Sequence, residues 1–269
     1  MTNAKGTPIW YEYLAADIGP AQDFYTGLLG WTAADSGVPG MDYRIASAPD
    51  GVNIAGLMQQ PEGMTGDPVW LVYFATDDVD ATAASAASLG GKVLMPPMSI
   101  PNVGRMAMLA DPQGHPFYVM RGESEEPSQA FVSCRGSNLA HGVWNELTAQ
   151  DQDSALDFYG ALLGLRHEGS MPMGPLGDYK FIHLAGTGSN GEPVTIGASM
   201  NSFPGSSAGW QVYFAADDVD AALDRLKNLG GSVVQGPDQI PGGDFAVVAQ
   251  DPAGVRFGFV APRASEVAA

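Results

Sequence analysis

The chain is a duplication, which limits what its 269 residues can build to two copies of one unit. Phe24-Tyr25-Thr26-Gly27-Leu28-Leu29-Gly30 answers Phe158-Tyr159-Gly160-Ala161-Leu162-Leu163-Gly164, an offset of 134 (158 − 24). Asp77-Asp78-Val79-Asp80 answers Asp217-Asp218-Val219-Asp220 at an offset of 140 (217 − 77). Asp111-Pro112-Gln113-Gly114 answers Asp251-Pro252-Ala253-Gly254 at the same 140 (251 − 111). The second copy therefore carries about six extra residues in the hairpins between the first two landmarks. A repeat of this length is a small domain, not a solenoid turn or a propeller blade. Any real catalytic constellation must survive, or visibly decay, in each copy.

Two domains, 1–121 and 140–269, fit the length, with 122–139 as a linker rich in Glu, Ser, Gly and Pro. The net charge of −18 argues against nucleic acid or an anionic membrane as partner. No apolar run is long enough to span a bilayer, and Met1-Thr2-Asn3-Ala4-Lys5-Gly6 lacks an apolar signal core, so a cytoplasmic protein is expected. Cys134 is the sole cysteine; it excludes an intrachain disulfide and reads as an incidental thiol in the linker.

Each half reads as two β-α-β-β-β cycles. Ile9–Ala15 alternates as a strand, and Asp17 and Pro20 then open a helix. Ala21, Phe24, Tyr25, Leu28 and Leu29 keep helical spacing, and Gly30 stops it. Strands follow at Tyr43–Ala48 and Asn53–Met58. The second cycle runs through strand Trp70–Ala75, helix Val79–Leu89 and strands Val93–Met95, Arg105–Ala110 and Pro116–Met120. The second half repeats the order from Gly142–Thr148 to Arg256–Val260. The fold class is α+β: a tandem repeat of paired β-α-β-β-β modules forming two curved-sheet cups with helices outside. The concave faces are where pockets would sit.

This order of landmarks resembles the vicinal oxygen chelate superfamily, which includes glyoxalase I, bleomycin-resistance proteins and extradiol dioxygenases. Asp17…Phe24-Tyr25…Leu28-Leu29-Gly30, Asp77-Asp78-Val79-Asp80…Leu89-Gly90-Gly91 and Asp111-Pro112-Gln113-Gly114 carry the resemblance, each with a counterpart in the second half. Trp10 and Trp144, with Ile100-Pro101 and Ile240-Pro241, resemble a tandem glyoxalase-like subgroup.

The resemblance implies a divalent ion held by His, Gln or Glu on the first and fifth strands and Glu near the end of the eighth, acting as a Lewis acid on the substrate. Those positions fall at Trp10 and Trp144, at Leu71 and Gln211, and at Tyr118 and Gly258. Leu and Gly offer no ligand, and an indole N–H cannot coordinate. No metal and no cofactor are therefore expected. Among the histidines, His115 reads as a surface turn residue, His141 as turned away from the cup, and only His183 as a site candidate.

Alternation places Trp10 and Glu12 on one face of the first strand, and Trp144 and Glu146 on its copy. Tyr73 on the fifth strand, Tyr118 on the eighth, and Gln211 with Tyr213 in the second copy join them. Each cup is expected to hold a tryptophan, a tyrosine and one carboxylate, a mostly apolar pocket suited to a small aromatic or heteroaromatic molecule. Glu12 and Glu146 are the candidate acid–base groups; Trp10, Trp144, Tyr73, Tyr213, Gln211 and Tyr118 are the candidate ligand contacts. The competing arrangement is inherited packing, with the glutamates paired to Arg105 or Arg44. Trp70 and Trp210 have the opposite parity and belong to the helix side.

The expected partner is a small molecule bound by a monomer or homodimer, without metal. The alternative is a metal-dependent glyoxalase, dioxygenase or hydroxylase-type enzyme with a displaced site near Glu12 or Glu146.

Overall fold

The computed structural model describes residues 3–38, 40–61, 66–133, 138–188 and 190–264. Cys134 lies outside the described residues. The first half runs β1 (Pro8–Ala15), α1 (Gly19–Leu29), β2 (Thr32–Asp35), β3 (Tyr43–Ser47), β4 (Asn53–Gln59), β5 (Val69–Ala75), α2 (Val79–Ser88), β6 (Lys92–Ile100), β7 (Gly104–Ala110) and β8 (Pro116–Gly122). The second half repeats it as β9 (Gly142–Ala149), α3 (Gln152–Leu163), β10 (Arg166–Pro172), β11 (Asp178–Thr187), β12 (Pro193–Asn201), β13 (Gly209–Ala215), α4 (Val219–Asn228), β14 (Ser232–Gln239), β15 (Phe245–Gln250) and β16 (Arg256–Ala261). The strand orders are β2-β3-β4-β1-β5-β8-β7-β6 and β10-β11-β12-β9-β13-β16-β15-β14. Each repeat thus makes its own mixed eight-stranded sheet, which gives the expected α+β fold.

Local chemistry sets the ends of the helices. Asp78, Asp151 and Asp218 each cap a helix by accepting the amide of Ala81, Ser154 and Ala221. Gly30 and Gly164 close α1 and α3 in the left-handed conformation, both at φ 73°. The start of α1 differs: its cap is Ile18, which has no capping side chain, and Pro20 stands in its first turn.

Two strands lack the alternation that would mark them in sequence. β2 and β10 are mostly exposed edge strands with little apolar content. β6 is longer than the Val93–Met95 expectation and runs through Pro96-Pro97. It ends its sheet, where a missing amide donor is tolerated. Among the described residues between the repeats, Val132 donates its amide to the Gly142 carbonyl, and Gly142 donates to the carbonyl of Ala130, which is fully buried.

Packing follows a different partition from sheet pairing. One compact unit comprises Met1–Trp10, Leu71–Ser128 and Trp144–Trp210; the other comprises Tyr11–Trp70, Gln129–Val143 and Gln211–Ala269. Each unit joins one module of the first repeat to one of the second. In the unit holding α1 and α4, Gly27 faces Leu229, and Gly231 faces Phe24. In the unit holding α2 and α3, Gly91 faces Phe158.

The Asp-Pro-x-Gly turn locks each unit. Asp251 accepts the amides of Ala253 and Val255 on Oδ1 at 2.9 Å each. Its Oδ2 accepts the hydroxyls of Tyr13 at 2.8 Å and Tyr25 at 3.2 Å. Trp70 Nε1 donates to that same Tyr25 hydroxyl at 2.8 Å, on the helix side that its parity requires. In the other unit Asp111 accepts the amides of Gln113 and His115, and its Oδ2 meets Tyr159 at 3.2 Å and His115 Nδ1 at 2.9 Å. His115 is therefore no surface residue, contrary to its reading from the turn: it is buried beside Gly209 and anchored to the turn carboxylate. Burial, with the neighbouring Asp charge, drives the Tyr25 and Tyr159 phenols well above their ordinary values. Burial alone would raise Asp111, but bonds from the His115 ring and amide outweigh it and hold the carboxyl below its usual range.

Candidate functional site

The clearest constellation lies on β9, β11 and β12, within one compact unit. Trp144 and Glu146 alternate onto one face of β9. Glu146 pairs in register with Ala198 of β12, and Ala198 with Phe181 of β11. This brings Trp144, Glu146, Tyr179, Phe181 and Met200 to a common face. Trp144 Nε1 donates to the Tyr179 hydroxyl at 2.8 Å, and that hydroxyl donates to Glu146 Oε2 at 2.8 Å. The Trp144 and Tyr179 rings lie nearly parallel, with centroids 6.5 Å apart and planes 17° apart. Phe181 stands edge-on to both, at 6.4 Å from Trp144 and 6.3 Å from Tyr179.

Chemically this is a directed chain. Each donor polarises the next, and the negative charge of Glu146 terminates it. Trp144, Glu146 and Tyr179 all remain partly accessible. An aromatic face with one anchored carboxylate can stack a planar ligand and accept a proton or hydrogen bond from it.

Sequence reasoning named Trp144 and Glu146 but missed Tyr179, the group that joins them. Its counterpart is Tyr43 of β3, in the other unit. There Glu12 is only 2 % exposed and pairs in register with Gly56 of β4. A Cβ at Gly56 would overlap the Tyr43 phenol, so this glycine makes room for the ring. The signal was available as Asp42-Tyr43-Arg44 and Asp178-Tyr179-Lys180. Trp10 stands partly exposed on β1. The suggested pairing of the glutamates with arginine is not what these arginines do. Arg105 binds Asp80 at 2.6 and 2.7 Å, and Arg44 binds Asp42 and Gln22.

His183 alternates with Tyr179 and Phe181 along β11, but both ring nitrogens are engaged. Nε2 faces the Glu168 carbonyl at 2.9 Å and must carry the proton; Nδ1 is left to the Thr195 hydroxyl at 3.0 Å. His141 is likewise buried and engaged, by the Gln129 carbonyl and Asp50.

The eighth-strand positions are filled by aromatic packing. Tyr73 of β5 is in register with Tyr118 of β8, and their rings stack at 4.1 Å and 13°. In the second repeat Tyr213 of β13 is in register with Gly258 of β16, and a Cβ on Gly258 would overlap the Tyr213 ring. The glycine exists because the tyrosine lies across it. Gln211, on the same strand, has a buried amide nitrogen with no partner among the described residues. The inherited positions thus offer a divalent ion no carboxylate or imidazole, and among the described residues no three His, Cys, Asp or Glu side chains gather elsewhere. The donor set does not fit a metal of the usual kind.

Fold and repeat together define a class. The family model for the glyoxalase/bleomycin resistance protein/dioxygenase superfamily matches residues 9–119 and 139–259, and the chain belongs to that superfamily. It is 35 % identical over 265 residues to CFP32 of Mycobacterium tuberculosis, which carries a provisional glyoxylase name, covering 96 % of this chain and 95 % of that one. It is 34 % identical over 271 residues to the anthracycline biosynthesis protein DnrV of Streptomyces peucetius, covering 96 % and 94 %. Among solved structures, it is similar to the trihydroxybiphenyl dioxygenase of Sphingomonas wittichii strain RW1, with a TM-score of 0.66, 15 % identity and coverage of 96 % and 91 %. The Mn(II)-bound glyoxalase of Novosphingobium aromaticivorans gives a TM-score of 0.64 at 18 % identity, covering 96 % and 83 %. At those identities the structural likeness speaks for the fold alone. No helix among the described residues is long and apolar enough to cross a membrane.

Proposed function

We propose that the protein binds a small planar aromatic or heteroaromatic molecule on its Trp-x-Glu faces, without a metal ion, as a binding or sequestering protein. The single observation that carries this reading is the Trp144–Tyr179–Glu146 chain, an aromatic surface that ends in a held carboxylate. Trp10 and Trp144 supply stacking, and Glu12 and Glu146 orient the ligand. Tyr73 of β5, Tyr118 of β8, and Gln211 and Tyr213 of β13 are the further ligand contacts in this reading. The likeness to a protein named for anthracycline biosynthesis supports a planar polycyclic ligand. The strongly negative chain is taken as a cytoplasmic protein that acts apart from nucleic acid.

The test is tryptophan-fluorescence quenching by alizarin, a planar dihydroxy polycycle, in the presence of EDTA. Saturable quenching is expected, weakened about tenfold by Trp144→Ala, the scale of one lost ring stack together with its buried area. Quenching that needs added divalent metal, or that is unchanged in both Trp144→Ala and Trp10→Ala, would overturn the reading. A second reading, catalysis from a displaced site, draws on the same Tyr179–Glu146 bond as an acid–base pair. It requires that Glu146→Gln abolish turnover while leaving the fold intact.

A further inference from the structure

The two Trp-x-Glu faces differ at one position, and it sets how each tyrosine lies. Across β1, β4 and β3, Glu12, Gly56 and Ile45 stand in one row of the sheet. Across β9, β12 and β11 the same row reads Glu146, Ala198 and Phe181. The middle residue is a glycine in one repeat and an alanine in the other. A Cβ on Gly56 would lie 2.0 Å from the Tyr43 hydroxyl oxygen and 2.3 Å from the ring carbon that carries it. The phenol therefore rests on bare backbone beside Glu12. In the second repeat the Ala198 methyl fills that space, and Tyr179 cannot lie there. Its ring is nearly parallel to Trp144, and its hydroxyl reaches Glu146 at 2.8 Å. Glu12 is 2 % exposed, whereas Glu146 stays partly exposed.

We propose that Tyr43 is a built-in occupant of the first-repeat face, so that the two faces fill in order: the Glu146 face first, and the Glu12 face only after Tyr43 leaves Gly56. This rests on the function proposed above, and adds which face serves it and which residue decides. A face that is competent only when its own side chain is displaced loses apparent affinity in proportion to the time it is closed. A minor conformation a few kcal/mol above the major one is populated about 0.1–10 % of the time, so the first face is weaker by at least about tenfold. The backbone does not forbid the exchange. The three atoms nearest a Cβ on Gly56 all belong to the outer part of the Tyr43 ring, which can rotate away. Gly197, beside Ala198, is the contrasting case: a Cβ there would lie 1.7 Å from the Asn145 carbonyl oxygen, which is main chain. Glycine at 56 thus governs access to a face, and glycine at 197 governs the sheet itself.

Alizarin binding to the full chain, followed by equilibrium dialysis in EDTA, tests the order. Wild type is expected to show two steps at least about tenfold apart, with Trp144→Ala removing the tighter step and Trp10→Ala the weaker. Gly56→Ala should tighten the weaker step until the two lie within about threefold, a gain that a merely destabilised sheet would not produce. Ala198→Gly should weaken the tighter step, because Tyr179 gains the space that Tyr43 uses. Equal affinities in wild type, loss of the tighter step in Trp10→Ala, or an undiminished gap in folded Gly56→Ala would overturn the proposal. If alizarin binds neither face, the proposed function fails on its own, and carboxylate labelling by a carbodiimide with glycinamide decides the difference between the faces. Glu146 is expected to react at least about tenfold faster than Glu12 in wild type, and equal rates would overturn the proposal. If Gly56→Ala does not fold, the wild-type steps and labelling rates still decide.

Discussion

Gly258 shows how much a single residue can say. A glycine in the middle of a buried strand costs backbone entropy and normally weakens it. Here Tyr213 lies flat across it, and any side chain would collide with that ring. Gly258→Ala is therefore expected to lower stability by about 2 kcal/mol, the usual scale of overpacking, measured by denaturant unfolding. Adding Tyr213→Ala should recover part of that loss in a double-mutant cycle, because the two residues are in contact. Tyr179→Phe removes the hydroxyl between Trp144 and Glu146 and leaves the stack. Alizarin affinity should fall severalfold while the unfolding midpoint changes little, the net cost of a partly exposed hydrogen bond being about 1 kcal/mol. The Trp-x-Glu pairs were legible because a strand has a period of two. The tyrosine was less so: Tyr43 and Tyr179 are offset by 136 (179 − 43), matching neither flanking landmark, because the inserted residues of the second copy are spread over its hairpins. The burial of His115 could not be read from its turn, since it depends on Gly209 from the other repeat lying against the ring.

At the scale of elements, two motifs that looked like separate family landmarks are halves of one interaction. The Phe-Tyr helix of each repeat donates its tyrosine to the Asp-Pro-x-Gly turn of the other: Tyr25 to Asp251, and Tyr159 to Asp111. The titration behaviour follows with opposite signs. Tyr25 and Tyr159 have folded values raised above the ordinary tyrosine value, so their contribution is complete below about pH 10 and is lost as pH rises beyond it. Asp111 is held below its ordinary value, so its contribution is complete above about pH 4 and is lost as pH falls through its folded value. Stability against urea should accordingly fall at both extremes. Asp111→Asn, which weakens the bond to the His115 ring, should flatten the acid limb more than the alkaline one; an unchanged acid limb would remove Asp111 from this role. The helices and most strands were legible from periodicity and stop signals. The edge strands β2 and β10 were not, because an element exposed on its outer side needs no apolar alternation.

For the whole molecule, the repeat visible in sequence and the compact unit in space are different partitions. Strands pair within a repeat, while each hydrophobic unit takes one module from each. Sequence could not choose between these pairings, because the modules present similar apolar faces. It follows that neither 1–121 nor 140–269 should fold cooperatively as an isolated monomer, since each lacks part of both units; circular dichroism and sedimentation of the separate halves would check this. The same doubling frames the function. Both copies carry aromatic packing at the eighth-strand position where the family resemblance implies a carboxylate ligand, and both retain Trp-x-Glu on the first strand. The most direct measurement is the divalent metal content of protein purified without chelator. Less than about 0.1 ion per chain is expected from a donor set this poor in carboxylate and imidazole. One tightly held ion per repeat, needed for ligand binding and restored after chelation, would contradict it.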